Sequence, residues 1–122
     1  MSDKKILIVD DEIDILASIK IVLEGNGYLV KTTTNGDNVI NIMTNDTPDL
    51  VLLDVMLPGI SGYSICWQIK NNEKLKSIPV VFITAKSNES DKLMGEQMKG
   101  DGYINKPFEK DELLSVIKSF IG

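Results

Sequence analysis

The stretch Asp49-Leu50-Val51-Leu52-Leu53-Asp54-Val55-Met56-Leu57-Pro58-Gly59 constrains this chain more than any other. Its first half is a short continuous apolar run, the pattern of a strand covered on both faces of a sheet. An acid, Asp54, stands where the run ends, and Pro58-Gly59 then turns the chain. A carboxylate at the carboxyl end of a central parallel strand is costly to keep without a partner. In doubly wound sheets that strand end is also where ligands bind. Asp54 is therefore either a strand-terminating acid facing water or the chemical centre of the protein.

The flanking segments repeat this design. Ile6-Leu7-Ile8-Val9 is a β-branched apolar run that ends in Asp10-Asp11-Glu12. A helical stripe follows, with Ile15, Leu16, Ile19, Val22 and Leu23 inside an arc of about 120° and Ile13 and Ile21 off it. Gly25-Asn26-Gly27 stops that helix. Tyr28 to Thr33 reads as a second strand, polar enough for a sheet edge. Asn35-Gly36-Asp37 opens a second helix carrying Val39, Ile40, Ile42 and Met43. Gly62 to about Lys70 gives a third, with Ile65, Cys66 and Ile69 inward. Pro79 to Ile83 is a fourth strand ending at Thr84-Ala85, and a weak fourth helix is expected from about Glu89 to Met98. Asp101 to Ile104 is a short fifth strand, followed by Asn105-Lys106-Pro107-Phe108. The last helix begins near Glu109 with acids in its first turn, as the helix dipole favours, and is expected to bury Leu113, Leu114, Ile117, Phe120 and Ile121.

Strands and helices thus alternate through short loops, which predicts one α/β domain over residues 1–122 with a five-stranded parallel sheet and helices on both faces. The sequence shows no internal repeat or linker and stops where the fifth helix stops, which reads as a whole domain and leans towards a stand-alone protein over part of a longer one.

Composition narrows the chemistry. All thirteen cationic residues are lysines, histidine is absent, and the net charge is −5. That acidity argues against a nucleic-acid surface. Without histidine there is no imidazole base and no His-ligated metal. Cys66 is the sole cysteine, so no internal disulfide can form; it reads as a small packing residue. Neither a signal peptide nor an apolar run of membrane-spanning length is present, and a cytoplasmic location is the default expectation.

At the strand carboxyl ends stand Asp10 and Asp11, then Asp54, Thr84 and Lys106, which the fold brings to one crevice. Singly, each has a plain structural reading. Asp11 or Asp14 could cap the first helix, Thr84 could be a turn residue and Lys106 a solvated charge. As a set they point to a site. Clustered carboxylates repel and are relieved by a cation. An all-oxygen set without His or Cys suits a hard ion, Mg²⁺ where phosphate takes part. A lysine can hold phosphate as a point charge, Thr84 can donate to a phosphoryl oxygen, and aspartate can itself be the nucleophile. Neutralising the transferring group is the main demand of phosphoryl transfer.

These motifs resemble the receiver domain of two-component response regulators over essentially the whole chain. The resemblance is carried by Ile8-Val9-Asp10-Asp11-Glu12, by Leu52-Leu53-Asp54-Val55-Met56-Leu57-Pro58-Gly59-Ile60-Ser61-Gly62, by Ile83-Thr84-Ala85-Lys86, and by Tyr103-Ile104-Asn105-Lys106-Pro107-Phe108. It implies a flavodoxin-like (βα)5 fold, chemotaxis-regulator-like, with strand order 2-1-3-4-5, an order the doubly wound class is known for. By the same resemblance Asp54 accepts phosphate from a phosphohistidine of a sensor histidine kinase or phosphotransfer protein. Asp11 and Asp54 hold Mg²⁺ with the main-chain carbonyl of Met56, and Asp10 partly through water. Lys106 and Thr84 contact the phosphoryl group, and the Lys106-Pro107 bond is cis, directing the ammonium. The family's switch implies that Thr84 moves and Tyr103 turns inward, remodelling the face of the fourth helix, fifth strand and fifth helix. That face would engage a downstream target or an output domain, or form a dimer. Tyr103 could equally be a packed strand aromatic with its hydroxyl in water. Ile13 and Ile21 are candidates for kinase docking, with packing against neighbours as the alternative. Met56 and Lys86 stand where relatives tune dephosphorylation. Such a chain is a signalling phospho-acceptor that catalyses only its own phosphorylation and dephosphorylation.

The sequence departs from the family at Lys99-Gly100-Asp101-Gly102-Tyr103, where Gly-Ala-Asp-Asp-Tyr is usual. A flavodoxin-like cofactor binder needs a phosphate-cradling loop after the first strand, where Asp10-Asp11-Glu12 would repel phosphate. An aspartate-dependent phosphohydrolase normally needs a second acid near the nucleophile and a cap; Met56 is not an acid and no insertion could form a cap.

Overall fold

The computed structural model describes residues 4–85 and 100–122. Its elements are β1 (Lys5–Val9), α1 (Ile13–Glu24), β2 (Leu29–Thr33), a 3-10 turn (Gly36–Asn38), α2 (Val39–Asn45), β3 (Leu50–Leu53), α3 (Gly62–Lys70), β4 (Val80–Thr84), β5 (Gly102–Asn105) and α4 (Lys110–Ile121). The strands form one parallel sheet in the order β2-β1-β3-β4-β5, the doubly wound arrangement the sequence predicts. The helix expected over about Glu89–Met98 and the tuning position Lys86 lie outside the described residues.

The period of two explains the core. Ile6, Ile8, Leu50, Leu52, Val81 and Ile83 pack on one face against α1 and α4. Leu7, Val9, Val51, Leu53, Val80 and Phe82 point to the other face, against α2 and α3. All residues of β3 and β4 are buried, as continuous apolar runs demand. On α1, Leu16, Ile19 and Leu23 are buried and Ile15 and Val22 pack at the margin, whereas Ile13 and Ile21 are each 72 % exposed. β2 is an edge strand, and its half-exposed pattern matches its polarity.

Four local expectations are corrected. Tyr28 precedes β2 instead of opening it: it is buried, and its hydroxyl donates to the Gly122 carbonyl at 3.1 Å. The second helix opens through a 3-10 turn, because the Asn35 side chain accepts the Asp37 N–H at 2.9 Å. Neither Asp11 nor Asp14 caps α1; Glu12 is its N-cap, without a side-chain cap bond. Phe120 is 37 % exposed, since its ring lies over Gly102 of β5, where an added Cβ would meet Phe120 Cζ at 3.2 Å. The unusual glycine thus makes room for an aromatic ring on the edge strand.

Asp101 ends up just ahead of β5, and its carboxylate ties three segments together. It accepts the Val80 N–H at 2.8 Å and pairs with Lys70 Nζ at 2.7 Å, while Lys70 also donates to the Ile78 carbonyl at 2.8 Å. The Lys70 side chain is only 8 % exposed and Asp101 is 36 % exposed. Removing one partner of a buried pair leaves the other uncompensated, though solvent at Asp101 moderates the penalty. We therefore expect Lys70→Met to lower stability by about 2 kcal/mol, read as a lower urea midpoint. An unchanged midpoint would contradict this role for the pair.

Candidate functional site

Each acid of the site is set by the end of a strand. Asp10 directly follows β1, and its N–H donates to the Thr33 carbonyl at 3.2 Å. Asp54 follows β3, and its N–H donates to the Val9 carbonyl at 2.8 Å, so the two strand ends are locked side by side. Thr84 is the last residue of β4, and its carbonyl accepts the Lys106 N–H at 2.9 Å. The Lys106–Pro107 peptide bond is cis. The sheet therefore delivers Asp10, Asp54, Thr84 and Lys106 to one edge, as the topology of parallel strands requires.

Local bonds orient the carboxylates. Asp10 Oδ1 accepts the Glu12 N–H at 2.9 Å, and Asp54 Oδ1 accepts the Met56 N–H at 3.0 Å. The remaining oxygens face Lys106: its Nζ donates to Asp10 Oδ2 at 2.8 Å, to Glu12 Oε1 at 3.1 Å and to Asp54 Oδ2 at 3.2 Å. Lys106 is no solvated charge; its side chain is 10 % exposed. Asp11, Glu12, Asp54, Met56, Thr84, Ala85 and Lys106 line an open crevice of about 260 Å³. The sequence motifs alone do not single out Glu12. Its signal was its place directly after the two aspartates, at the N-terminus of α1.

The electrostatics of the crevice are unbalanced. Burial pushes the Asp54 carboxyl up to about 6; the Met56 N–H opposes the rise, the Asp10 charge adds to it, and Lys106 opposes it again. Burial works to lower the Lys106 ammonium, but hydrogen bonds to Asp10 and Glu12 and the charges of Asp10 and Asp54 outweigh it and hold Lys106 above its ordinary value. One oxygen from each of Asp10, Asp11, Glu12 and Asp54 lies within 4.8 Å of the others. One lysine among these acids leaves an excess of negative charge, and every donor is an oxygen. That donor set fits a hard divalent cation and gives a soft one nothing to bind.

Other candidate residues lie elsewhere. Tyr103 stands on the α3 side of β5, half-buried, with its ring 5.8 Å from that of Phe82. Its hydroxyl is 3.1 Å from the Tyr63 hydroxyl, so the picture of a strand aromatic ending in water does not describe it. Ile13 and Ile21 project from α1 with the same high exposure, and Trp67 on α3 is 52 % exposed. Cys66 is buried in the core between α3 and the sheet, and burial pushes its thiol up to about 12. We expect no reaction of the native protein with a thiol reagent at pH 8, and full reaction once it is unfolded; rapid native labelling would contradict this burial.

Comparison with known proteins adds to this geometry. The family model of the response regulator receiver domain matches residues 6–118. The phosphate regulon transcriptional regulatory protein PhoB of Pseudomonas aeruginosa is 39 % identical over 121 residues, covering 99 % of this chain and 53 % of that protein. The alkaline phosphatase synthesis transcriptional regulatory protein PhoP of Bacillus subtilis is 36 % identical over 119 residues, covering 98 % of this chain and 49 % of that protein. The chain thus spans about half the length of the curated relatives it matches. Among solved structures, the BeF3-activated N-terminal receiver domain of RstA from Klebsiella pneumoniae superposes with a TM-score of 0.89 at 26 % identity, covering 96 % of this chain and 97 % of that one.

Proposed function

The chain belongs to the family of response regulator receiver domains of two-component signalling, and from that premise we propose that Asp54 is its phospho-acceptor. The observation that carries this reading is the Asp54 carboxylate itself: buried, raised to about 6, oriented by the Met56 N–H and facing an ammonium. An Asp54 oxygen attacks the phosphorus of a phosphohistidine on a sensor histidine kinase or phosphotransfer protein. The P–N bond breaks, the electron pair leaves with the imidazole, and an acyl phosphate forms. Lys106 moves its contact from the carboxylate to the phosphoryl oxygens, and Thr84 donates a hydrogen bond to them. Asp10, Asp11, Asp54 and the Met56 carbonyl would hold Mg²⁺, with Glu12 beside them; when bound, the ion neutralises charge on the transferring group.

In this reading residues 1–122 act as one signalling domain that catalyses only its own phosphorylation and dephosphorylation. Phosphorylation shifts Thr84 and Tyr103 between two arrangements, changing the face around β5 that meets a target, an output domain or a second copy. Ile13 and Ile21 on α1 would meet the kinase. Among the described residues no helix is long and apolar enough to cross a membrane, and we place the chain in the cytoplasm with its two-component partners. Beryllofluoride, which mimics the phosphoryl group on a carboxylate, tests the site. With Mg²⁺ it should shift the backbone amide resonances of Met56 and Thr84, and Asp54→Asn should abolish both shifts. Shifts that persist in the variant would move the acceptor away from Asp54.

A further inference from the structure

We propose that Tyr63 is the positioning residue for Tyr103, a hydroxyl-to-hydroxyl latch between α3 and β5 that opposes the switch. The inference rests on the role given to Tyr103 above. Tyr63 lies in the first turn of α3, whose N-cap Ser61 accepts the Tyr63 N–H at 3.1 Å and so fixes where the helix presents that side chain. Tyr103 pairs with Phe82 across the β5–β4 ladder. Phe82 sits between the two tyrosines: its ring is 5.1 Å from Tyr63 in an edge contact and 5.8 Å from Tyr103. Phe82 is fully buried, and the two tyrosines meet over it with hydroxyls 3.1 Å apart.

This arrangement has a directional consequence. Tyr103 is half-buried, and an inward turn that takes its hydroxyl away from Tyr63 has to break this pair. Breaking a partly buried hydrogen bond opposes that movement. The ring contacts with Phe82 survive without the Tyr63 oxygen, so Tyr63→Phe removes the latch and leaves the packing. A ligand at Asp54 that favours the inward ring must work against the latch, and its apparent affinity falls accordingly.

The test uses the whole chain with ¹³C-labelled tyrosine rings. Its three tyrosines give separable signals, assigned by Tyr28→Phe, Tyr63→Phe and Tyr103→Phe. In Tyr63→Phe the Tyr103 ring signal should move before any ligand is added, and the beryllofluoride midpoint with Mg²⁺ should fall about three- to tenfold. Tyr103→Phe should move the Tyr63 signal, and Tyr63→Phe should add nothing to the beryllofluoride midpoint once the Tyr103 hydroxyl is gone, because the latch needs both hydroxyls. A Tyr103 signal indifferent to Tyr63→Phe, a midpoint that is unchanged or rises, or full additivity in the double variant each overturns the proposal. Failure of the underlying reading looks different. If beryllofluoride binds at Asp54 yet leaves the Tyr103 signal in place in both proteins, the switch role of Tyr103 fails. The latch to that switch falls with it, although the hydroxyl pairing still registers without ligand.

Discussion

Gly62→Ala should lower stability by about 3 kcal/mol and slow phosphorylation, from a position that carries no functional group. Gly62 opens α3, and its N–H donates to the Val55 carbonyl at 2.9 Å, which brings the helix start against the chain leaving β3. A Cβ here would overlap the Asp54 carbonyl oxygen and approach Val55 Cα to 2.8 Å and the Asp54 carbonyl carbon to 2.9 Å. All three are backbone atoms, so no rotamer change relieves the clash, and the backbone of Asp54 and Val55 or the start of α3 must shift. Displacing Asp54 strains its contacts with the Met56 N–H and the Lys106 ammonium. Thermal unfolding should show a midpoint lower by about 10 °C for a chain of this size. A loss below about 1 kcal/mol would mean the α3–β3 approach is looser than this packing.

Asp54→Asn should raise stability at pH 7 by about 2 kcal/mol, with the gain vanishing near pH 4. The Asp54 carboxyl ordinarily titrates at 3.8 and here stands at about 6, with its side chain 4 % exposed. A raised acid binds its proton more tightly in the folded chain than in the unfolded one. Its stabilising contribution is complete below 3.8 and is lost as the pH rises through about 6, so at neutral pH the folded state carries an ionised group it disfavours. Asparagine is neutral throughout, can still accept the Met56 N–H, and leaves Lys106 paired with Asp10 and Glu12. Urea titrations in the presence of EDTA at pH 4, 5.5 and 7 would trace the gain. A variant that is less stable at pH 7, or whose gain does not depend on pH, would contradict the electrostatic account. Ionised Asp54 on this account costs the fold stability, as functional sites commonly do.

The crevice was legible because it depends on rules that act along the chain. Apolar runs ending in Asp10, Asp54 and Thr84 mark parallel strands, and parallel strands bring their carboxyl ends together whatever the loops do. The α1 stripe, with Ile13 and Ile21 outside it, was legible for the same reason: helical period alone assigns faces. Contacts between distant side chains were not. The Tyr63–Tyr103 hydroxyl pair spans forty residues, and Lys70 reaches Asp101 from another layer of the fold; neither leaves a spacing signal. Phe120 fell on the apolar stripe of α4 yet stays partly exposed, because the last turn overhangs the edge strand where Gly102 leaves a gap. Glu12 leaves no such spacing signal either, since only the fold of the Lys106 side chain makes it a partner.

The measurement that bears most directly on Asp54 as acceptor is intact mass after incubation with acetyl phosphate. It should be run with and without Mg²⁺, on the native chain and on Asp54→Asn. A single phosphoryl adduct on the native chain that requires Mg²⁺ and is missing from the variant is the predicted result. No adduct under any condition, or one that survives Asp54→Asn, would contradict the assignment of Asp54 as the phospho-acceptor.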